Sequence, residues 1–146
     1  MRADRMAGKE HIIFAARNAV DSFKGKDRRA KHLSIELLLF ASGEHQIVEA
    51  IKLLGVAASS RELVLVGLSE TELDSNVLSS RAAKVVKGVP DDTVMDIGTR
   101  PKVRALKKAY KISDRELNSS RMPGEAEDSV LKRLVIERSA LLVLEN

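Results

Sequence analysis

The chain has 146 residues, a formal net charge of +4 and a mean hydropathy of −0.14. This length forms one domain, residues 1–146, large enough to bury its own core. The absence of cysteine excludes disulfides and thiolate metal sites, and no apolar run approaches the roughly 20 residues of a membrane-spanning helix. We therefore expect a soluble, cytoplasmic single domain with no membrane partner.

A helix and a basic linker are predicted at the N-terminal end. The spacing of Ile12, Ala16, Ala19 and Phe23 predicts an amphipathic helix over residues 9–22, which Gly25 ends. Residues 1–31 hold nine Lys/Arg and four Asp/Glu, so the positive excess is concentrated here. The linker contains five cations, namely Lys24, Lys26, Arg28, Arg29 and Lys31.

Residues 33–55 predict two helices that meet at a Ser-Gly joint, defined here as residues 42–46. Residues 35–41 are apolar on nearly every face apart from Glu36, which is typical of a buried helix. Ser42 and Gly43 break this helix, because glycine adopts a left-handed backbone at low cost. An amphipathic helix follows and ends at Gly55. The joint therefore presents a helix N-terminus, with unpaired N–H groups, beside Ser42, Gly43 and Gln46.

The second half of the chain mixes short apolar runs with helical segments. The apolar runs predict strands at residues 62–67, 93–97 and 140–144. Capping residues and periodicity predict helices at residues 69–86, at 99–110, from residue 113 to before Pro123, and at 125–138. This order predicts an α/β or α+β fold in which several helices cover a small sheet of few strands.

A second basic block spans residues 100–111 and contains no acidic residue. Its cations are Arg100, Lys102, Arg104, Lys107, Lys108 and Lys111. Like charges three or four residues apart on a helix repel each other. Two interpretations remain open: a solvated helix face, or a surface that meets a polyanionic partner.

The motifs of common enzyme classes are missing. The sequence contains no G-x-x-x-x-G-K-[ST], G-x-G-x-x-G or G-x-S-x-G pattern. His11, His32 and His45 lack the spacing of a helical metal pair, and Asp91-Asp92 follows Pro90 in an ordinary turn composition. We therefore expect no catalytic residues, no metal and no cofactor.

The Ser-Gly joint also carries a family resemblance. The pattern E-[IL]-L-x-x-x-S-G-x-x-Q-I-x-x-A-I resembles the kinase-binding subunit of the KEOPS complex, the TPRKB (PRPK-binding protein) family, in its archaeal form. The matching residues are Glu36, Leu37, Leu38, Ser42, Gly43, Gln46, Ile47, Ala50 and Ile51. Residues 110–113 are similar to the segment before the last helix of that family, and residues 130–144 are similar to its C-terminal helix and strand. Family members carry strand-forming residues before the segment matched here, so either the N-terminal strand or strands are absent or the start of the chain has been assigned too late.

The resemblance implies a non-catalytic subunit of a tRNA-modifying complex. The family binds the N-lobe of the small atypical KEOPS kinase, and contacts the other KEOPS subunits through it. The complex attaches a threonylcarbamoyl group to the adenosine next to the anticodon, and the archaeal subunit is implicated in capturing the 3′ CCA end of tRNA. A general protein-interaction adaptor without RNA contact is the alternative.

These expectations assign two sets of residues. The helix N-terminus at the joint would hold a phosphate, and the basic segments would hold the acceptor stem by charge. The predicted tRNA-binding residues are Ser42, Gly43, His45, Gln46, Lys24, Lys26, Arg28, Arg29, Lys31, Arg104 and Lys108. The resemblance places the kinase contact on the last helix, at Leu131, Leu134, Val135 and Arg138. The same pattern would suit a buried helix equally well.

Overall fold

Seven α-helices and two short 3-10 helices make up the regular structure of residues 1–26 and 28–144, which are the residues that this computed structural model describes. The α-helices are α1 (Lys9–Lys24), α2 (Leu33–Ser42), α3 (Ile47–Leu54), α4 (Ser75–Val86), α5 (Arg100–Ala109), α6 (Asp114–Ser119) and α7 (Glu127–Leu144). The 3-10 helices are Ala3–Arg5 and Asp92–Met95. The predicted α/β or α+β fold with a small sheet is therefore wrong, because the described residues form no strand.

The apolar run at 62–67 lies outside any helix and belongs to no sheet. Its pairing is an isolated antiparallel bridge between Leu63 and Arg2, beside which the Val64 N–H donates to the Met1 carbonyl at 2.7 Å. Leu65, further along the run, is exposed. β-branched residues favour an extended backbone, but a strand needs neighbours to become part of a stable sheet.

The other two predicted strands are helical over all or most of their length. Residues 140–144 continue α7, because the chain has no glycine or proline between residues 125 and 144 and Leu142 is buried with the rest of the helix. A short apolar run does not by itself distinguish a strand from a buried helical segment. Residues 92–95 form a 3-10 helix whose start is capped by the Asp91 carboxylate, which accepts from the Thr93 N–H at 2.9 Å.

The predicted helix starts differ in accuracy. The N-terminal helix and the helix pair around the Ser-Gly joint are confirmed as α1, α2 and α3. The Ser113 hydroxyl caps α6 by accepting from the Glu116 N–H at 3.1 Å. In contrast, α4 begins at Ser75 rather than residue 69, since Asp74 provides its cap while Ser69 accepts from the nearby Thr71 N–H.

Two hydrophobic clusters share the long helix α7 as a common wall. The first cluster joins α1, α2, α3 and the N-terminal 3-10 helix, and includes Leu142 from the end of α7. The second joins α5, α6 and the first half of α7. Helix α2 contacts α1, α3 and α7, which accounts for its apolar sequence. Every residue of α4, in contrast, is at least partly exposed, and Val85 is 82% exposed.

Candidate functional site: the ends of α2 and the surfaces around them

The start of α2 is organised by a buried acid. The carboxylate of Glu36 accepts hydrogen bonds from the Ser22 hydroxyl at 2.6 Å, the Ala30 N–H at 2.8 Å and the Arg29 N–H at 3.1 Å. These contacts fold the basic linker over the start of α2. A buried carboxylate needs such donors, because burial without them costs several kcal/mol.

The end of α2 is organised by a backbone carbonyl. The Ala41 oxygen accepts from His11 Nε2 and from the Tyr110 hydroxyl, each at 2.9 Å, and the Tyr110 hydroxyl also lies 3.0 Å from the Arg5 oxygen. The two rings meet edge to face with centroids 5.8 Å apart. Helices α1, α2 and α5 therefore converge at the residue just before the Ser-Gly joint.

The contacts of His11 define its protonation state. Since a carbonyl can only accept, Nε2 carries the proton, and Nδ1 accepts from the Ala7 N–H at 3.3 Å. Burial lowers the pKa of His11 to about 4, and the hydrogen bond to Ala41 opposes this shift. The ring is neutral at pH 7. Burial likewise raises the pKa of the Tyr110 phenol.

Gly43 ends α2 in a conformation and a space that favour glycine. Its φ is 66°, in the left-handed region, and its N–H donates to the Leu39 carbonyl. A Cβ at this position would lie 2.9 Å from the Arg138 carbonyl oxygen on α7. Ser42 is buried, and its hydroxyl accepts from the Glu44 N–H at 3.2 Å. These two predicted tRNA-binding residues therefore shape the joint and face protein.

The surface of the Ser-Gly joint is formed by the residues that follow. His45 and Gln46 are exposed, and Gln46 precedes the first turn of α3 with an extended backbone. Val48 is 60% exposed on that turn. The Lys111 ammonium lies 3.8 Å from the Glu44 carboxylate and adds a cation to this surface. Phe40, in contrast, is buried in the core.

The linker lies at the far end of α2 from the joint. Ten helical residues separate the two ends by about 15 Å. Its cations also engage protein groups: Lys24 pairs with Glu70 at 3.6 Å, Arg28 lies over the Phe23 ring at 5.8 Å, and the Arg29 guanidinium donates to the Leu142 carbonyl at 2.8 Å. Lys26 and Lys31 are exposed, and Asp27 lies outside the described residues.

The predicted kinase-binding residues lie mostly inside the protein. Leu131 and Val135 are fully buried and Leu134 is 2% exposed, all three in the second hydrophobic cluster. The Arg138 guanidinium donates to Glu116 at 2.6 Å and to the Tyr110 carbonyl at 3.3 Å. The apolar stripe is thus core in this chain, and a kinase contact through α7 stays a prediction.

Sequence reasoning missed the roles of Glu36, His11 and Tyr110. A signal existed for Glu36, which is the lone acid in an otherwise apolar helix. The partner of His11 is the carbonyl of Ala41, 30 residues away, and a backbone carbonyl has no sequence signature. Similarly, the Tyr110 hydroxyl reaches across 69 residues to the same oxygen.

The described part of the chain contains no group of three or more His, Asp or Glu side chains suited to a metal ion. None of its helices combines the length and the apolarity needed to cross a bilayer.

Comparison with known proteins places these features in a family. Residues 1–142 match the kinase binding protein CGI-121 family. A curated relative, "Regulatory protein Cgi121" of Methanocaldococcus jannaschii, is 30% identical over 112 residues, which cover 77% of this chain and 68% of that protein. The resemblance noted around the Ser-Gly joint is thereby confirmed, and the chain belongs to the kinase binding protein CGI-121 family.

Proposed function

We propose that this chain is a non-catalytic subunit of the KEOPS tRNA-modifying complex, where it binds the small atypical kinase and helps to recruit tRNA. The match of residues 1–142 to a kinase-binding family carries this proposal. Contact with the other subunits passes through the kinase, and the product of the complex is threonylcarbamoyl adenosine next to the anticodon.

The outer face of α7 is the surface that best suits the kinase. Helix α7 is apolar on two sides: one side is buried, while Ile136, Ala140 and Leu144 follow the other at helical spacing. Leu141 is 47% exposed beside them and Leu144 is 77% exposed. A helix with a second apolar side has surface that water solvates poorly, which favours a protein partner. We assign the kinase contact to this outer face instead of the buried Leu131, Leu134 and Val135.

Substitution of an exposed leucine tests this assignment. Leu141→Glu should fold normally and weaken binding of the small kinase from the same organism at least about tenfold, because a charge would be buried in an apolar contact. Val85→Glu on α4 is the matched control, which should fold and bind like the original chain. Titration calorimetry gives the affinity and thermal unfolding checks the fold. Equal kinase affinity for Leu141→Glu and the original chain would reject this face.

The Ser-Gly joint is the part of the molecule that best suits the 3′ end of tRNA. The first turn of α3 offers N–H groups and the positive end of a helix dipole, Lys111 adds a cation, and Ile47 and Val48 expose apolar surface for a base. His45 and Gln46 supply polar side chains on the same surface. Gly43 supports this role indirectly, because a glycine at this position lets the end of α2 lie close against α7.

Truncated tRNA separates this proposal from an adaptor without RNA contact. Binding of tRNA should depend on salt, and removal of the CCA end should weaken it about tenfold or more. Val48→Asp should reproduce that loss with complete tRNA and have little effect on truncated tRNA. Equal binding of complete and truncated tRNA would remove the role of the joint. Failure to bind tRNA at any salt concentration would favour the adaptor.

A further inference from the structure

Helix α5 carries an unusual concentration of positive charge. Its ten residues include five cations and no acid: Arg100, Lys102, Arg104, Lys107 and Lys108. Two of these lie in the first turn, where the helix dipole favours acids instead. This arrangement opposes helix stability, since like charges one turn apart repel.

Two of the five cations are held by other parts of the fold. The Lys102 ammonium turns inward and donates to the Val94 carbonyl at 2.6 Å. The Lys107 ammonium pairs with the Asp114 carboxylate at the start of α6. Lys102 and Lys107 therefore have structural roles within the protein itself.

The other three cations form the α5 outer face, which consists of Arg100, Arg104 and Lys108. They are exposed, and they have no ion-pair partner within residues 1–26 and 28–144. Their spacing of four residues gives a rise of about 6 Å from one to the next along the helix. The face is therefore a row of cations that leads along α5 toward its C-terminal end.

The row ends beside the Ser-Gly joint. Tyr110 follows α5 directly and bonds to the Ala41 carbonyl, and Lys111 pairs with Glu44 in the joint itself. The basic linker lies about 15 Å away, at the other end of α2. The row of cations that reaches the joint therefore lies on α5, and not in the linker.

We propose that the α5 outer face binds backbone phosphates of the RNA whose 3′ end enters the Ser-Gly joint. This inference rests on the proposed function and divides the work between two surfaces. The joint contacts the single-stranded end, whereas Arg100, Arg104 and Lys108 supply the affinity that does not depend on sequence. A row of evenly spaced cations suits the repeating charge of a nucleic-acid backbone better than it suits a protein surface of mixed charge.

Two triple variants test whether the joint and the α5 outer face contact different parts of the RNA. The variant R100Q/R104Q/K108Q removes the α5 outer face, and K24Q/K26Q/K31Q removes the same number of charges from the linker as the matched control. Binding of tRNA and of a short CCA-ended oligonucleotide is measured over a series of KCl concentrations. Circular dichroism and thermal unfolding check that each variant folds.

The α5 variant should bind tRNA about 10- to 100-fold more weakly at roughly 100 mM salt, and its slope of log K against log salt should fall by about 2 to 3. Its affinity for the oligonucleotide should change less than about threefold, and the linker variant should resemble the original chain in both assays.

The phosphate-binding role of the α5 outer face would be overturned if the α5 variant kept the salt slope of the original chain. It would also be overturned if the linker variant lost as much tRNA affinity as the α5 variant. The Ser-Gly joint would keep its role in both cases. Failure of the original chain to bind either RNA would overturn the proposed function as well. If the α5 variant lost kinase binding but bound tRNA normally, the α5 outer face would be a kinase contact, and RNA would be rejected as its ligand.

Discussion

The two ends of α2 are held by opposite arrangements of polar groups. At the start, one side-chain carboxylate, Glu36, collects backbone and hydroxyl donors from the linker. At the end, one backbone carbonyl, that of Ala41, collects side-chain donors from His11 and Tyr110. Both arrangements satisfy buried polar groups around a helix that is otherwise apolar.

The difference shows that the net charge of a segment does not reveal which of its cations face solvent. The linker contains five cations, but an anion holds it in place, and two of those cations bind α7 and an aromatic ring. The joint has little charge of its own, but it lies beside Lys111, the cation that follows α5. Where the chain places its charges in space therefore matters more than how many a segment contains.

The largest expected effect removes the acid at the start of α2. Glu36→Ala would leave the Ala30 and Arg29 N–H groups and the Ser22 hydroxyl without the carboxylate, so we expect the free energy of unfolding to fall by about 3–5 kcal/mol. Glu70→Ala, at a side chain that is 86% exposed, should change it by about 0.5 kcal/mol or less. Urea unfolding measures both. A loss below about 1 kcal/mol for Glu36→Ala would contradict the anchoring role.

The next effect concerns the backbone at the end of α2. Gly43→Ala combines a left-handed φ with a Cβ placed 2.9 Å from the Arg138 oxygen, so we expect a loss of about 2–3 kcal/mol. Gly124→Ala is the matched control, because it has a φ of 78° and, within the described residues, no atom within 4 Å of the added Cβ. Its loss should be about 1 kcal/mol. Equal losses would show that the contact with α7 contributes nothing.

Acid should loosen the end of α2 through His11. The pKa of this side chain is about 4 in the folded protein, whereas its ordinary value of 6.5 applies to the unfolded chain, so the unfolded chain binds a proton first as the pH falls. The contribution of His11 is complete above pH 6.5, and about 2 kcal/mol of it should be lost between pH 6.5 and 5. Urea unfolding at each pH measures this loss.

Two histidine variants assign the effect. His11→Asn should flatten the pH dependence in that interval, whereas His32→Asn, at an exposed position, should retain it. An imidazole NMR titration that showed His11 protonated at pH 6 would contradict the buried neutral ring.

The smallest effect removes one hydroxyl. Tyr110→Phe keeps the ring against His11 but takes away one of the two side-chain donors to the Ala41 carbonyl, so we expect a loss of about 1 kcal/mol. Thermal unfolding of Tyr110→Phe and Tyr110→Ala would separate the hydroxyl from the ring, whose removal should cost about 3 kcal/mol or more. Identical losses for the two variants would show that the hydrogen bond, not the ring, dominates.

Local signals predicted much of the fold, but they did not predict which distant segments contact each other. Gly43 and the periodicity around it predicted the helix–joint–helix unit, and Ser113 predicted the start of α6, because each signal lies within a few residues of its effect. The runs at 62–67 and 140–144 are apolar in the same way, yet the first forms only an isolated bridge and the second is helical. What they pack against decides between these states, and a single sequence does not contain that information.

The same distinction between local signals and long-range packing applies to the candidate site. The exposed position of Gln46 at the start of α3 follows from the local break at Gly43. The burial of Leu134 depends on how α7 packs against α5 and α6, and the close contact between Gly43 and Arg138 depends on how α7 packs against α2. Periodicity identifies an apolar side of a helix, but it does not say whether the protein itself or a partner covers that side.

The weak packing of α4 has a consequence for the timing of hydrogen exchange. Its helical amides are protected by local hydrogen bonds alone, because every residue of the helix is at least partly exposed. Such a segment opens and closes without disturbing the two hydrophobic clusters, so its amides should exchange much faster than those of α2. We therefore expect α4 and the two hydrophobic clusters to open as separate cooperative units, so that a single unfolding temperature would describe the clusters and not α4.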